Sequence, residues 1–182
     1  MSSLFLFYRK FKILLTEPTT HFLLYLGKTL IMKSLTFILI LFFCIQINAQ
    51  EKEIAIKEVT QAGYNYIDTF YKVDTTLAYK SIHQDLRKVG WWYDSKKSTY
   101  SGALEMPFKA LLDLAKKWNV KGNQVNESSP RKVEILEVSD KIAVAKVTAI
   151  WGIDYLNMVH TNEGWKIINI VWQSKPKFSL NE

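Results

Sequence analysis

The chain has 182 residues, enough for one domain or a small pair, and 24 Lys and Arg against 17 Asp and Glu give it a formal net charge of +7. Residues 1–49 carry four of these seven charges, and the rest of the chain has no run of more than two basic residues, which argues against nucleic-acid binding. The single cysteine, Cys44, excludes an intrachain disulfide and a cysteine-based zinc site, and the three histidines lack metal-ligand spacing, so we expect no metal and no cofactor.

Residues 32–49 have the layout of a signal peptide. Lys33 supplies a positive start, residues 35–45 form an apolar core that is short for a membrane span, and Ala49 is a small residue before a possible cut. We therefore predict cleavage after Ala49, so that Gln50 becomes the first residue of an exported protein in the periplasm or outside the cell.

The segment before Met32 has no place in a signal peptide that starts there. Residues 1–31 are partly apolar, lack a clear period and contain a proline. We interpret them as an upstream extension from a start assigned too early, and a two-part membrane anchor is the alternative. For residues 32–49 the alternatives are an uncleaved anchor or a lipoprotein signal at Cys44, although the bulky Phe43 disfavours the latter.

Three helices are predicted after the signal segment. Over residues 52–72 apolar residues recur at spacings of three and four, which indicates an amphipathic helix. Asp74 can cap a short second helix that ends at His83, and Pro107 suits the first turn of a third helix. The apolar stripe of the third helix consists of Phe108, Leu111, Leu112, Ala115 and Trp118.

The strands come mostly after the helices. Residues 86–93 form a predicted strand, followed by a polar turn at 94–98 and a short return at 99–104. After a loop at 119–130, four further strands are predicted at 132–138, 142–151, 154–160 and 165–173. The last two are joined by a hairpin turn at Asn162-Glu163-Gly164, and a loose polar tail follows over 175–182.

Early helices and late consecutive strands are typical of an α+β fold. We predict a curved antiparallel sheet, shaped as a cone, that wraps around the first and third helices within a domain spanning residues 50–174. The curvature leaves a hollow at one end of the cone.

Three C-terminal stretches resemble a known family. They are IAVAKV at 142–147, DYL at 154–156, and GWKIIN at 164–169 followed by Trp172. They are similar to the "putative lumazine-binding" family of the nuclear transport factor 2-like superfamily, in its secreted bacterial form. The N-terminal half fits through Tyr66-Ile67-Asp68, Asp74 and His83-Gln84-Asp85-Leu86, although the family often has His-Pro-Asp where this chain has His83-Gln84-Asp85. The resemblance covers about residues 53–173 and implies the cone fold.

Two titratable residues are candidates for acid–base catalysis. His83 could act as acid or base near neutral pH, and the resemblance places the second helix at the mouth of the pocket. Asp154 shares a strand face with Leu156 and Met158, where burial would raise its pKa as a catalytic base requires. The alternatives are a helix-end histidine bonded to backbone or to Asp85, and an aspartate paired with a lysine.

Other residues are candidates for ligand binding. Strict alternation places Asn169 in a row with Trp165, Ile167 and Val171, where a buried amide must find partners. Aromatic pocket candidates are Tyr66, Trp91 or Trp92, Trp118, Trp151 and Tyr155. For each of them the alternative is an ordinary core residue, and the sequence favours that alternative.

Three functions remain open. The first is an exported binding module for a small, mostly apolar molecule, and we favour it because the sequence shows no dense Asp/His/Tyr cluster. The second is an isomerase or lyase that uses His83 and Asp154. The third is a domain whose open sheet face only pairs with another chain; strand 142–151 is apolar on both faces, which predicts a homodimer through the outer face of the sheet.

Overall fold

The computed structural model describes the backbone of residues 3–174 and the side chains of residues 22, 25–37 and 50–174. The chain divides into two units, residues 1–50 and 51–182. The predicted tail at 175–182 and the side chain of Cys44 lie outside the described residues. Among those described, no helix has a stretch both long and apolar enough to cross a membrane.

The described residues form three helices, α1 (Ser3–Tyr71), α2 (Thr75–Ser81) and α3 (Phe108–Trp118). Helix α1 ends close to the predicted residue 72 but begins at Ser3 instead of residue 52. No glycine or proline stands between residues 28 and 62, so the sequence holds no strong helix breaker there. Pro107 is the N-cap of α3, and four of the five residues in the predicted apolar stripe of α3 are buried.

Helix α2 is shorter than predicted. The Asp74 carboxylate accepts a hydrogen bond from the Thr76 backbone N–H, which confirms Asp74 as the N-cap. The helix ends at Ser81 because the β-branched Ile82 already has extended backbone angles (φ −120°, ψ 135°). His83 therefore belongs to a strand, and the prediction that it ends the second helix is wrong.

Within residues 3–174, eight strands form one six-stranded sheet and one two-stranded hairpin, in the orders β4-β1-β8-β7-β6-β5 and β2-β3. The strands are β1 (Ile82–Trp91), β2 (Tyr93–Asp94), β3 (Thr99–Tyr100), β4 (Leu104–Glu105), β5 (Arg131–Val138), β6 (Ile142–Ala149), β7 (Gly152–Thr161) and β8 (Gly164–Ser174). The last four form the predicted meander, with boundaries within two residues of those predicted.

The large sheet is mixed and not antiparallel as predicted. Strand β1 pairs with β8 in parallel, whereas the other pairs are antiparallel. A parallel pair needs a long crossover, and here α3 and strands β2 to β7 supply it. The alternation pattern of a strand does not give the direction of the neighbouring strand, so the parallel pairing was not predictable from it.

The core lies between the inner face of the large sheet and the helices of the second unit. Helix α1 contributes Val59, Ala62, Tyr66, Ile67 and Phe70, all buried. Gly63 lies so close to Val133 of β5 that a Cβ atom at residue 63 would come within 2.8 Å of Val133 Cγ1. The glycine thus permits close packing of α1 on this strand.

Candidate functional site

An aromatic cavity of about 170 Å³ lies at the inner face of the sheet. We call it the aromatic cavity throughout. It is lined by Phe70, Lys88, Trp92, Met106, Leu114, Trp118, Trp151 and Trp172. Strands β1 and β8 place Lys88 and Trp172 on one wall, because Gly90, two residues after Lys88, is the register partner of Trp172.

Asp154 lies behind this wall and is fully buried. Its Oδ1 accepts hydrogen bonds from Lys88 Nζ at 3.0 Å and from the Tyr66 hydroxyl at 3.0 Å. Its Oδ2 accepts a hydrogen bond from Trp151 Nε1 at 2.6 Å. Donors from α1, from β1 and from the turn between β6 and β7 therefore satisfy this carboxylate, as a buried charge requires.

The Lys88 ammonium contacts Tyr66 and Trp172 in addition to Asp154. It also donates to the Tyr66 hydroxyl at 2.5 Å and lies 5.0 Å from the ring centroid of Trp172 and 5.2 Å from that of Tyr66. These ring contacts are cation–π interactions. Lys88 and Asp154 thus form a compensated ion pair, with Lys88 in the cavity wall and Asp154 behind it.

Tyr66 stays a neutral donor in this network. Burial raises the pKa of its phenol well above 10.0, and the charge and hydrogen bond of Asp154 raise it further. Its aromatic ring packs edge-to-face on Phe70 and Trp151, with centroids 5.8 and 6.1 Å apart. Tyr66 therefore supports the cavity from behind and does not line it.

The aromatic walls hold one another in place. Trp151 meets Phe70 and Trp118 edge-to-face, at centroid distances of 5.2 and 5.6 Å. Tyr71 stacks on the far side of Trp118 at 6.0 Å, with the two rings almost parallel. Such contacts fix the side-chain conformations and make this part of the cavity preformed.

One polar group at the wall has no partner. Trp172 is 8% exposed, and its Nε1 is sealed from solvent. Among the side-chain nitrogen and oxygen atoms of the described residues, Trp172 Nε1 is the one that is buried and has no hydrogen-bond partner. Buried N–H groups are usually paired, so this one calls for an explanation.

The structure does not bring His83 and Asp154 together. His83 lines a separate polar hollow with Asp85, Glu163, Lys166 and neighbouring residues, and its Nδ1 accepts a hydrogen bond from the Asp85 backbone N–H. Asp154 instead accepts hydrogen bonds from Lys88 and Trp151, which line the aromatic cavity. Acid–base catalysis on one substrate atom requires both groups within about 3 Å of it or one water further, and two separate hollows do not offer that arrangement.

Three of the predicted ligand-binding residues lie away from the cavity. Tyr155 and Trp91 are exposed, and neither lines the aromatic cavity; its neighbour Trp92 does. Asn169 is half-buried, accepts a hydrogen bond from Asn157 Nδ2 and donates one to the Arg87 carbonyl. Of the five residues predicted to bind ligand, Trp118 lines the cavity and Tyr66 supports it.

A β-bulge explains the position of Asn169. The register passes from Asn157 opposite Asn169 to Met158 opposite Ile167, so Ile168 is an extra residue in β8. The bulge reverses the alternation, and Ile167 and Ile170 are both buried as a result. The prediction that Asn169 shares a face with Trp165 and Ile167 is therefore wrong.

Lys88 is the residue that sequence reasoning missed. A period of two along β1 places Lys88 on the same face as Leu86 and Gly90, and all three are buried. This alternation is the signal in the sequence that could have identified Lys88 as buried. It was missed because lysine is usually solvent-exposed, and Lys88 follows Arg87 directly.

The arrangement of helices and mixed sheet is similar to the nuclear transport factor 2-like fold. A protein of this kind with a cystatin-like fold, from Novosphingobium aromaticivorans, is 11% identical, with a TM-score of 0.50 over 73% of this chain and 90% of that chain. Another, of unknown function, from Silicibacter pomeroyi, is 16% identical, with a TM-score of 0.49 over 70% of this chain and 98% of that chain. At these identities a likeness shows the fold alone, and the one to the Novosphingobium aromaticivorans protein confirms the predicted fold class.

The family model described as "Putative lumazine-binding" matches residues 54–173. The chain belongs to this family, as the resemblance of its C-terminal stretches indicated. No curated protein matches the chain in sequence.

Proposed function

We propose that this domain binds a small, mostly apolar molecule in the aromatic cavity and that the binding involves no chemical reaction. The observation that carries the proposal is a preformed cavity walled by four tryptophans, with its one charged lining residue, Lys88, already neutralised by Asp154. Ligand sites are commonly concave and aromatic, with few polar groups. The separation of His83 from Asp154 favours binding over the isomerase or lyase alternative.

The size of the cavity limits the ligand. An apolar cavity of roughly 150 Å³ holds one benzene ring, so a volume of about 170 Å³ suits one aromatic ring. A second ring would extend towards Trp92, which is half exposed and also lines a neighbouring hollow with Trp151. The family description makes lumazine, a planar bicyclic dione, the first defined compound to titrate.

Native mass spectrometry of the purified protein tests the proposal. We expect a small molecule to co-purify with the wild type or, after its removal, lumazine or a one-ring aromatic to bind and quench tryptophan fluorescence. Leu114→Trp should fill the cavity and abolish binding, because Leu114 lines it. Val120→Trp is the matched control, since Val120 is exposed outside the cavity. Equal binding by Leu114→Trp and wild type would contradict the proposal.

Export is the second part of the proposal. It is supported by the positive start, apolar core and small residue of segment 32–49, and the boundary between the two units at Gln50 lies one residue after the proposed cut. The mature protein would then begin at Gln50 and work in the periplasm or outside the cell.

A homodimer through the outer face of the large sheet is the third part. Exposed apolar side chains on that face include Ile142, Tyr155 and Val171. Register places Tyr155 directly beside Val171, so the two form one patch across β7 and β8. Such patches often mark protein contacts, and a second copy of the chain offers the same patch in return.

A further inference from the structure

The wall of the aromatic cavity presents almost no hydrogen-bonding group to a ligand, because nearly all of the surface that faces its interior is apolar. Lys88, the one charged residue of the wall, is 5% exposed and already has Asp154 and the Tyr66 hydroxyl as partners. Trp151 Nε1 donates to Asp154, and Trp172 Nε1 has almost no accessible surface. None of these donors is therefore available to a molecule inside the cavity.

A polar ligand could reach the occupied donors only by taking them from Asp154. Withdrawing Lys88 or Trp151 would leave a fully buried carboxylate short of a partner, which costs more than one new hydrogen bond gains. A polar atom that enters the cavity thus loses its water and finds no replacement. Each such atom lowers the affinity by roughly fivefold to a hundredfold.

The cavity has a side on which polar atoms of a ligand can keep their water. Trp92 and Leu114 belong to the lining and are 50% and 39% exposed, so they mark the side open to solvent. A ligand that carries polar groups must therefore enter with an all-carbon part and leave those groups at this opening.

We infer that the aromatic cavity selects its ligand by an all-carbon ring or a hydrocarbon group of similar size, with polar atoms kept outside beside Trp92 and Leu114, and that lumazine does not fit. This inference rests on the proposed function and narrows it to a ligand class. Lumazine has carbonyl and N–H groups on one ring and nitrogen atoms on the other, so whichever ring enters buries polar atoms without partners. The chain belongs to the family, but the description of the family does not name the ligand of this cavity.

Two isomers of the same shape and composition test the inference on the wild-type protein. Quinoxaline has both nitrogen atoms in one ring and can insert its all-carbon ring, whereas 1,5-naphthyridine has a nitrogen atom in each ring and must bury one of them. Calorimetric titration should give a Kd for 1,5-naphthyridine that is higher than that of quinoxaline by about fivefold or more. Because the two isomers carry the same atoms, a difference between them reports how the cavity receives each ring.

Toluene and lumazine complete the set of probes. Toluene should bind, because it is a one-ring hydrocarbon and the cavity of about 170 Å³ suits one ring. Lumazine at the same concentration should neither bind nor displace toluene. Leu114→Trp should abolish the binding of toluene and quinoxaline by filling the cavity, and Val120→Trp, on an exposed residue outside it, should leave both unchanged.

The outcomes separate the inference from the proposed function. 1,5-Naphthyridine binding as tightly as quinoxaline, or lumazine binding as tightly as toluene, would overturn the inference and leave the binding site in place. Failure of all four compounds to bind the wild type, or undiminished toluene binding by Leu114→Trp, would overturn the proposed function and the inference with it. If Leu114→Trp does not fold, the two isomers and lumazine still decide the inference, because they are compared on the wild-type protein.

Discussion

Gly90 of β1 lies directly opposite Trp172 of β8, and the missing side chain at Gly90 makes room for the indole that closes one wall of the aromatic cavity. A Cβ atom at residue 90 would overlap both the carbonyl oxygen and the indole ring of Trp172. The carbonyl belongs to the backbone and cannot rotate away, so the two strands would have to separate. The cavity wall thus depends on a glycine in the interior of a strand, a position where glycine is otherwise unfavourable.

Gly90→Ala should therefore destabilise the protein. We expect the free energy of unfolding to fall by about 1–3 kcal/mol, the usual range for overpacking, and ligand binding to weaken because Trp172 is displaced. Urea denaturation followed by circular dichroism measures the first effect. Gly102→Ala is the control, since a Cβ atom there meets nothing within 4 Å; identical midpoints for Gly90→Ala and wild type would show that the strands adapt without cost.

Lys88→Met should cost far more than the loss of an exposed ion pair. It leaves the Asp154 carboxylate buried without a cation, which typically destabilises a protein by about 3–5 kcal/mol. The double variant Lys88→Met/Asp154→Asn, which removes both charges, should recover much of the loss in the same urea experiment.

Lys57→Met provides the comparison for Lys88→Met. Lys57 pairs with Glu53 at 2.9 Å, but the two side chains are 72% and 68% exposed, so solvent screens the pair and we expect no measurable change. A single Lys88 variant as stable as wild type would mean that the network around Asp154 does not need the ammonium.

Asp68 should make the stability of the domain depend on pH in the acid range. Arg131 binds its carboxylate through two hydrogen bonds of 2.7 and 2.9 Å, and Lys72 lies 2.7 Å away. Burial by itself raises the pKa of Asp68, but the hydrogen bonds from Arg131 and Lys72 outweigh it, so the pKa falls below 3.8. The stabilisation is therefore present above pH 3.8 and is lost as the pH falls towards the lower folded-state pKa.

Urea midpoints measured from neutral pH to about pH 3 check the contribution of Asp68. Asp68→Asn should be less stable than wild type at neutral pH, and the difference should shrink in acid. Glu53→Gln, which removes the exposed carboxylate of the pair with Lys57, serves as the control and should follow the wild type throughout. A constant difference between Asp68→Asn and wild type across the range would contradict the lowered pKa.

The elements of the fold could be predicted from the sequence because the apolar periodicity is strong. The period of α3 and the alternation of β6 and β7 are both reproduced in the burial pattern. The bulge at Ile168 was not predictable, because one extra residue in a strand leaves no compositional signal and depends on the register with β7. Because of this extra residue, Asn169 does not share the strand face of Trp165 and Ile167 on which it was predicted.

The site was predicted only in part, because it depends on contacts between distant segments. Trp118 and Trp151 were recognisable as pocket candidates, and Asp154 was correctly placed on the buried face. Its partner Lys88 is 66 residues away in the sequence. Periodicity predicts which way a side chain points, but Lys88 and Asp154 come together only because β1 and β7 both pair with β8.

N-terminal sequencing of exported protein tests the proposed cleavage. We expect the first residue to be Gln50, because Ala49 is the small residue that follows the apolar core. An Ala49→Lys variant should accumulate in uncleaved form, whereas Ala55→Lys, six residues beyond the proposed cut, should be processed normally. A mature protein that still carries Met32 would contradict the cleavage and favour the uncleaved anchor.

The outer face of the sheet should hold two copies of the chain together. Light scattering at micromolar concentration should give the mass of a dimer, because Tyr155 and Val171 are 47% and 40% exposed and adjacent in register. A charge on this patch should separate the copies, since both partners would bury it against the same apolar surface, and Val171→Glu should therefore be a monomer. Val120→Glu places the same charge on an exposed apolar residue in the segment after α3 and should remain a dimer. A monomer mass for the wild type, or a dimer mass for Val171→Glu, would exclude this face as the interface.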